Sequence, residues 1–308
     1  MRPDMTSKYA PLPRVTLVTP AYNQAEYLRE TIDSVLAQDY PNLEYIVLDD
    51  GSTDNTPEVM AGFSKRLRST RHENIGQAST LNRGWAMAQG ELLGYISSDD
   101  RLAPHAVSKL VESLVGQPQA VVAYGDFDII DSRGRRVRTV RTEEFDVDRL
   151  AVDIVCQPGA GALFRRDLFQ HSGGWSAHLR QVPDYEFWLR ASRSGPFVHV
   201  PEVLAEYRVH EGSASFHAAS PARSNEIVQV MQAYWAGCSG ADVERSISTA
   251  HLLAAKSHAQ SGRLREATLH WSRAARRSPA VALSTRGARV LLSGLLRRLA
   301  YRARELLK

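Results

Sequence analysis

The chain has 308 residues, of which 43% are hydrophobic and 23% are charged, as is typical of a soluble globular protein. This length allows one large domain or a domain with an appendage. No run of about 18 apolar residues occurs, which argues against a membrane-spanning helix, and residues 1–14 lack the apolar core of a secretory signal. The two cysteines, Cys156 and Cys238, do not make a disulfide framework, so we expect a reducing, cytoplasmic environment.

Charge is distributed unevenly along the chain. The net charge is +4, yet residues 241–308 carry 14 Lys and Arg against 4 Asp and Glu, a net of +10, which leaves −6 for the preceding residues. Such an asymmetry indicates two different modules. We therefore predict a flexible N-terminus over residues 1–13, a main domain over residues 14–218 and a basic helical region over residues 219–308.

Strands and helices are predicted to alternate over the first 126 residues. β-Branched and apolar runs predict buried strands, and apolar residues at helical spacing predict single helices between them. The predicted strands are Val15–Thr19, Leu43–Gly51, Leu92–Ser97 and Ala120–Asp126, and the predicted helices cover residues 28–36, 55–67, 77–89 and 104–114. This alternation implies right-handed crossovers and a mostly parallel, Rossmann-like sheet flanked by helices, in the α/β class.

The pattern changes after Gly125. Two strands around a turn at residues 132–134, a strand over residues 161–166, a short helix over residues 183–195 and one or two closing strands over residues 197–210 are predicted. From Pro221 onward the sequence predicts helices only.

Acidic residues follow two of the predicted parallel strands. Asp49-Asp50 and Asp99-Asp100 both come directly after a strand, and Thr19-Pro20 ends a third. Because ligands bind at the carboxyl ends of the strands in such sheets, we expect these residues to form a site at one edge. Asp49 and Asp50 point to opposite sides of an extended strand, so only one of them would face a ligand. An Asx-type turn is the alternative explanation of this pair.

Asp99 and Asp100 place two like charges side by side. A hard divalent ion such as Mg²⁺ binds one or two carboxylates together with phosphate oxygens and water, and it would relieve the repulsion. An acidic cap for the helix that Pro104 opens is the alternative.

Three residues later in the chain are further candidates. Asp184 stands at the start of an amphipathic helix, where a helix cap and a catalytic base are both open. His210 ends a strand, as the acidic residues do, and a neutral imidazole is a competent metal ligand. Arg208 suits a phosphate group.

Six blocks of the sequence, in this order, resemble the family-2 glycosyltransferases, which have the GT-A fold and transfer sugars from nucleotide-sugars with inversion. The resemblance covers residues 15–215. It rests on TPAYNQAEYLRETIDSVLAQDYPNLEYIVLDDGSTDNT, NIGQASTLNRGWAMAQGELLGYISSDD, YGDFDIID, QPGAGALFRRDLFQHSGGW, PDYEFWLR and YRVHEGSAS. It implies a GT-A fold with an all-helical extension at the C-terminus.

The resemblance also implies roles for individual residues. Asp184 matches the catalytic base, Asp100 matches the favoured direct ligand of a Mg²⁺ or Mn²⁺ ion, and His210 matches a histidine that binds the diphosphate or the metal. Positions that match the nucleotide-sugar site are Pro20, Ala21, Tyr22, Asn23, Asp50, Asn82, Ser98, Asp99 and Arg208. Among these, Asp50 matches the aspartate that binds the base.

One departure from the family pattern lies at Ser97, where many relatives carry an additional acidic residue. The last two carboxylates of the motif are kept, so metal binding should survive. Which of Asp99 and Asp100 contacts the ion stays open.

The implied reaction is metal-dependent, inverting transfer of a sugar from a nucleotide-diphosphate sugar to a hydroxyl group. A UDP-sugar donor is favoured by family habit. The acceptor would be a glycan or a lipid-linked molecule, in the synthesis of polysaccharide, lipopolysaccharide or a glycoconjugate. Two other functions stay open: a catalytically silent nucleotide-sugar-binding module and a nucleotidyltransferase. Asp100, Asp184 and His210 argue against the first, and the lack of a Gly-rich basic loop near the first strand argues against the second.

The basic tail carries two weaker patterns. Residues 249–279 have spacings similar to a single tetratricopeptide unit. Residues 288–308 place leucines on one stripe of a helix, with basic residues elsewhere around it. This fits either a helix packed on its neighbours or an interfacial helix on anionic lipid, at the inner face of the membrane. Nucleic-acid binding is not expected because no aromatic and basic motif accompanies the charge.

Overall fold

A computed structural model describes residues 12–213, 218–285 and 287–288. The chain forms two compact units that are not contiguous in sequence. Unit 1 contains residues up to 145, residues 158–177 and residues 190–210. Unit 2 contains residues 146–157, 178–189 and the residues from 211 onward. The sequence suggests a single boundary after residue 218, whereas unit 2 also takes in two earlier segments.

Within the described residues, nine strands form one sheet in unit 1. They are β1 (Val15–Ala21), β2 (Leu43–Asp49), β3 (Arg68–Arg71), β4 (Leu92–Tyr95), β5 (Arg101–Leu102), β6 (Val122–Ile130), β7 (Arg136–Val140), β8 (Leu163–Arg165) and β9 (Phe197–Arg208). The strand order is β3-β2-β1-β4-β8-β6-β9-β5, and β7 pairs with β6.

Five helices lie in unit 1 and connect these strands. They are α1 (Leu28–Leu36), α2 (Thr56–Ala61), α3 (Gln77–Met87), α4 (Ala106–Gly116) and α6 (Arg166–Ser172). The helices of the second unit are α5 (Val147–Ala151), α7 (Pro183–Ala191), whose last two residues belong to unit 1, α8 (Pro221–Tyr234), α9 (Ala241–Gln260), α10 (Leu264–Arg277) and α11 (Pro279–Ala282).

The predicted α/β class is confirmed, and the parallel part of the sheet is where the sequence places it. β1 pairs in parallel with β2 and β4, and β2 pairs in parallel with β3. The other part of the sheet is mixed, because β8 runs antiparallel to both β4 and β6, while β6 and β9 are parallel. The long β6 strand continues through Gly125, where the sequence pattern suggests a break.

Four elements were not predicted from the sequence, each for a physical reason. β3 is a polar and mostly exposed edge strand without an apolar pattern. β5 has two residues and exists through its antiparallel pairing with β9. The helices α5 and α6 have five and seven residues, too few for a helical period to be distinct. At the start of α2, Asp54 Oδ1 accepts a hydrogen bond from the Thr56 N–H over 3.0 Å.

The core of unit 1 lies between the sheet and its helices, with Leu17, Ile32, Val47, Leu110 and Leu163 fully buried. One close approach depends on glycine. A Cβ atom at Gly84 of α3 would lie 2.4 Å from Val18 Cγ1 and 3.1 Å from Leu48 Cδ1. Gly84 therefore lets α3 approach the two strands that carry the predicted nucleotide residues.

In unit 2, the helices α9 and α10 form the helical hairpin that the tail pattern predicts. Gly262 makes the turn between them with φ of 82°, and the Ser248 hydroxyl donates to the Ala274 carbonyl over 3.0 Å. The amphipathic segment from residue 289 to the end lies outside the described residues, so its packing and any membrane contact stay predictions. In the described part of the chain, every helix is too short or too polar to cross a membrane.

Three histidines are buried between α8, α9 and α10. His251 Nδ1 lies 3.0 Å from His270 Nδ1, and the His258 ring stacks on the His270 ring at 5.2 Å. His258 Nε2 contacts Asn225 Oδ1, and Arg263 Nε donates to His258 Nδ1. Burial lowers the pKa of His251 and of His270 from 6.5 to about 4, and neighbouring histidine and arginine charges add to this.

We expect unit 2 to lose stability in mild acid because of this cluster. Below pH 6.5 the unfolded chain takes up protons on His251 and His270, while the folded protein stays neutral at both until about pH 4. The free energy of unfolding should therefore fall by a few kcal/mol, roughly, across this window. Urea unfolding between pH 7 and pH 4 measures it.

The variant His270→Gln removes one titrating group and keeps a hydrogen-bonding side chain. It should lose less stability between pH 6.5 and pH 4 than the wild type, whereas His171→Gln, at an exposed histidine, should follow the wild-type curve. Identical pH dependence of His270→Gln and wild type would contradict the assignment.

Candidate functional site

The carboxyl ends of three parallel strands meet at one edge of the sheet, as the sequence predicts. Ala21 of β1 is in register with Asp49 of β2, and Val18 of β1 is in register with Tyr95 of β4. The chain continues from these ends into the segments 22–27, 50–55 and 96–100. Most of the predicted site residues of unit 1 lie on these segments, so the sheet itself collects them.

The segment after β1 is fixed by hydrogen bonds to the segment after β2. Asn23 has φ of 53°, an unusual conformation for a residue other than glycine. Its side-chain oxygen accepts from the Thr53 N–H over 2.7 Å, and its own N–H donates to the Ser52 hydroxyl over 2.9 Å. Pro20 and Ala21 are buried in β1, and the Ala21 carbonyl accepts from the Asp50 N–H. Tyr22 is left 48% exposed beside them, an aromatic ring that a flat ligand could contact.

Asp49 and Asp50 differ in their partners, as their opposite orientations predict. Asp49 Oδ1 accepts from the Ser52 N–H, and its Oδ2 lies 3.2 Å from Arg71 Nε. Asp50 is 3% exposed, and its two oxygens accept from the N–H groups of Ile75 and Gly76 over 2.7 and 2.9 Å. Asp50 thus holds the loop that leads into α3. Binding of the nucleobase by Asp50 stays a prediction. The Asp50 carboxylate is already fixed in place by these hydrogen bonds, so it would not have to move when the nucleobase binds.

His210 lies beside the acidic pair. Its Nε2 atom is 3.0 Å from Asp99 Oδ2, and its ring packs on the Tyr27 ring at 4.6 Å. The short pairing of β5 with β9 explains this arrangement, since Arg101 is in register with Glu206 and the residues on either side of the pair are drawn together. The structure therefore brings His210 to Asp99 and Asp100, although it is more than 100 residues away from them in sequence.

Arg208 is buried against the same pair, with only 1% of its surface exposed. Its backbone N–H donates to Asp100 Oδ1 over 2.8 Å, and its Nε donates to the Asp99 carbonyl over 2.8 Å. One terminal nitrogen bonds Glu30 Oε2 over 2.7 Å, and the guanidinium lies 4.8 Å from the centre of the Tyr27 ring. Phosphate binding by Arg208 stays a prediction. The observed contacts make it a brace for the acidic segment.

The electrostatics of Asp100 favour a cation. Burial, and then the charge of Asp99, raise the pKa of the Asp100 carboxyl well above its usual value, while the Arg208 N–H opposes this by donating to it. Ser97, at the position where the sequence departs from the family pattern, forms a side-chain hydrogen bond with Asp100. Ser97 therefore supports the pair where a third carboxylate would add repulsion.

The donor set at this place suits the divalent ion that the sequence predicts. Carboxylate oxygens and an imidazole nitrogen are ligands that Mn²⁺ accepts, and the carboxylates alone are those that Mg²⁺ prefers. Among the described residues, however, no three His, Cys, Asp or Glu side chains converge on one metal position. The chemistry of the residues fits a metal, and the assignment of Asp100 and His210 as ligands remains a prediction.

The remaining predicted donor-binding residues of unit 1 have defined places. Asn82 of α3 accepts from the Trp175 N–H and donates to the Trp175 carbonyl, both over 2.8 Å. Ser98 is buried next to the acidic pair. The residues that sequence reasoning missed are Tyr27 and Glu30, which contact His210 and Arg208 from α1 and its approach. Tyr27 is buried just before α1 and Glu30 is exposed on that helix, and neither belongs to the strand ends that singled out the other candidates.

Asp184 lies in unit 2, near the start of α7, and is half-buried. Burial raises the pKa of its carboxyl, while hydrogen bonds from its own N–H and that of Tyr185 act in the opposite direction. Asp184 thus accepts hydrogen bonds from backbone N–H groups at the start of its helix, and burial increases its basicity, so the cap and the base both stay open. Its role as a base stays a prediction.

Comparison with known proteins adds independent information. The family model described as "Glycosyl transferase family 2" matches residues 16–173. An uncharacterized glycosyltransferase of Rickettsia typhi is 30% identical over 238 residues, covering 74% of this chain and 72% of that protein. One of Rickettsia felis is 30% identical over 224 residues, covering 68% of this chain and 37% of that protein. A chondroitin synthase of Pasteurella multocida is 27% identical, covering 72% of this chain and 23% of that protein. The chain thus spans little more than a third of the R. felis protein and less than a quarter of the chondroitin synthase.

Solved structures with the same fold include two complexes with a nucleotide-sugar. S. aureus TarS in complex with UDP-GlcNAc superposes with a TM-score of 0.62 at 16% identity, covering 92% of this chain and 79% of that chain. The mannosyltransferase PcManGT from Pyrobaculum calidifontis, in complex with GDP-Man and Mn²⁺, gives a TM-score of 0.57 at 20% identity, covering 93% of this chain and 87% of that chain. These likenesses confirm the predicted GT-A fold.

The bracing contacts of Arg208 lead to a stability prediction. Arg208→Lys keeps the charge but cannot reach the Asp99 carbonyl and Glu30 at the same time, so the free energy of unfolding should fall by roughly 2–4 kcal/mol. Urea unfolding of the full chain measures the loss. Arg66→Lys, at an exposed arginine, is the matched control and should be unchanged. Wild-type stability of Arg208→Lys would show that the brace is not needed.

Proposed function

The chain belongs to glycosyl transferase family 2, and we propose that it transfers a sugar, with inversion, from a nucleoside-diphosphate sugar to a hydroxyl group. The observation that carries the proposal is the cluster of Asp99, Asp100 and His210 at the strand-end edge that also holds Asp50. The charge of the buried Asp100, next to the half-buried Asp99, is costly unless a cation accompanies it. A nucleoside diphosphate that carries a divalent ion supplies that cation.

A UDP-sugar with Mg²⁺ or Mn²⁺ is the proposed donor complex. TarS, which shares the fold, was solved with UDP-GlcNAc, and PcManGT with GDP-Man and Mn²⁺, so both the uridine and the metal are supported by analogy of fold only. Asp100 and His210 would hold the ion, with Asp99 beside them. When bound, the ion neutralises the charge that develops on the leaving diphosphate.

The chain's own residues supply positioning and proton transfer in this proposal. Asp50, Asn23 and Tyr22 hold the nucleoside, and Asp184 accepts the proton of the acceptor hydroxyl. The acceptor oxygen forms a bond to the anomeric carbon as the bond from that carbon to the diphosphate oxygen breaks. The nucleoside diphosphate leaves with that electron pair, and attack from the opposite face inverts the configuration.

A glycan or a lipid-linked glycan is the proposed acceptor. Chondroitin synthase and hyaluronan synthase of Pasteurella multocida are among the relatives at 27% identity, and their names denote synthesis of polysaccharides. The chain covers 23% of each of these two synthases.

Donor binding can be tested by thermal shift with UDP-GlcNAc, GDP-mannose and free UDP, each with and without Mn²⁺. We expect stabilisation by a uridine ligand that increases with its concentration as RT ln(1 + [L]/Kd), and that is largely lost with EDTA. The variant Asp100→Asn should lose the Mn²⁺-dependent part of the shift. Equal shifts with and without Mn²⁺, for wild type and variant alike, would exclude a metal-assisted donor site.

The role of Asp184 can be tested with Asp184→Asn. The amide keeps the size of the side chain but cannot accept a proton, so UDP release from UDP-GlcNAc with water as acceptor should fall about 100-fold or more. The thermal shift with UDP should remain unchanged. Near wild-type turnover by this variant would remove Asp184 from the role of base.

A further inference from the structure

One carboxylate of unit 2 is unusually well satisfied by backbone donors. Glu226 of α8 is buried, with 6% of its surface exposed. Its Oε2 atom accepts from the N–H groups of Gln181 over 2.6 Å, Arg180 over 3.0 Å and Val182 over 3.3 Å, and its Oε1 atom accepts from Arg180 over 3.0 Å. Three consecutive N–H groups therefore converge on a single side chain.

These donors immediately precede the helix that carries Asp184. The helix α7 begins at Pro183, which has no N–H to donate. The N-terminal end of a helix and the turn before it favour a negative charge, and a buried carboxylate is tolerated when such donors satisfy it. Glu226 thus fixes the chain at Arg180–Val182, within two residues of Asp184.

A second contact ties the other side of Asp184 to the same helix. The Tyr185 hydroxyl donates to the Leu150 carbonyl over 2.6 Å and lies 3.4 Å from Met231 Sδ. Glu226 and Met231 both belong to α8. Asp184 therefore lies between the turn that Glu226 of α8 holds and Tyr185, whose hydroxyl is bonded to Leu150 of α5 and contacts Met231 of α8.

We propose that Glu226 is a positioning residue for Asp184. The inference depends on the proposed role of Asp184 as base. A base must meet its proton within a few tenths of an ångström, and displacements near 1 Å cost about 100-fold in rate. Side chains from another helix that fix the backbone on both sides of the base meet this requirement. Glu226 itself touches no reacting atom in this scheme and acts through the turn that presents Asp184.

The test compares Glu226→Gln and Glu226→Ala with wild type, using UDP release from UDP-GlcNAc in the full chain. Gln keeps one oxygen acceptor but turns an NH₂ group toward the backbone donors, and Ala removes both oxygens. We expect kcat to fall about tenfold in the Gln variant and further in the Ala variant. The KM for UDP-GlcNAc and the thermal shift with UDP should stay within twofold of wild type. Glu244→Gln, at an exposed glutamate of α9, is the matched control and should behave as wild type.

A double-mutant cycle separates positioning from a general loss of stability. If Glu226 acts through Asp184, Glu226→Gln should lower kcat in the wild-type background and have no further effect in the Asp184→Asn background. If Glu226 only stabilises the fold, the fractional loss is the same in both backgrounds, and the inference is overturned. Wild-type kcat for Glu226→Gln also overturns it. If Glu226→Ala does not fold, the cycle with the Gln variant decides alone.

The cycle also keeps this inference apart from the proposed function. Full activity of Asp184→Asn would show that Asp184 is not the base, and Glu226 would then have no base to position. A large loss in Asp184→Asn combined with an unaffected Glu226→Gln leaves the base in place and removes only the inference about Glu226.

Discussion

The candidate site of unit 1 depends on how two adjacent carboxylates are held at the end of a strand. Asp99 and Asp100 repel each other, and the burial of Asp100 makes its charge more costly still. Arg208 of β9 holds both residues in place. Its backbone N–H donates a hydrogen bond to the Asp100 carboxylate, and its side chain donates one to the Asp99 carbonyl. The Arg208 charge and its backbone N–H both oppose the rise in the Asp100 pKa that burial and Asp99 cause. The acidic segment is therefore held in position by β9.

This requirement explains the short pairing between β5 and β9. Two residues of strand are too few to stabilise a sheet, yet they set the register that brings Arg208 and His210 to the acidic pair. The Glu30 carboxylate of α1 accepts hydrogen bonds from Arg208 over 2.7 Å and from Arg101 over 3.0 Å. The helix after the first strand is thereby joined to the last strand of the sheet. A local electrostatic constraint thus accounts for contacts among residues that are distant in sequence.

Much of this site could be predicted from the sequence because it follows from strand ends. β1, β2 and β4 are buried, so their apolar runs are continuous, and parallel pairing places Asp50 and Asp99-Asp100 at one edge without any knowledge of tertiary contacts. The bracing role of Arg208 could not be read in the same way. Its partners are Glu30 and the Asp99 carbonyl, which lie far from Arg208 in sequence. A local sequence pattern therefore does not predict these contacts. β5 and α5 were not predicted for a related reason. They have only two and five residues, and elements this short form because of tertiary contacts and not because of local propensity.

The carboxylates of this chain fall into two groups that differ in how their charge is compensated. Asp50 and Glu226 are fully engaged by backbone N–H groups, and each fixes a segment that leads into a helix. Asp100 and Asp184 are compensated less completely, so burial raises the pKa of both carboxyls. Raised basicity is of no use to a structural contact, but it suits a group that must take up a cation or a proton. The two carboxyls whose pKa is raised by burial, Asp100 and Asp184, are thus the two for which we propose uptake of a cation and of a proton, whereas Asp50, proposed to bind the nucleoside, is already held by backbone donors.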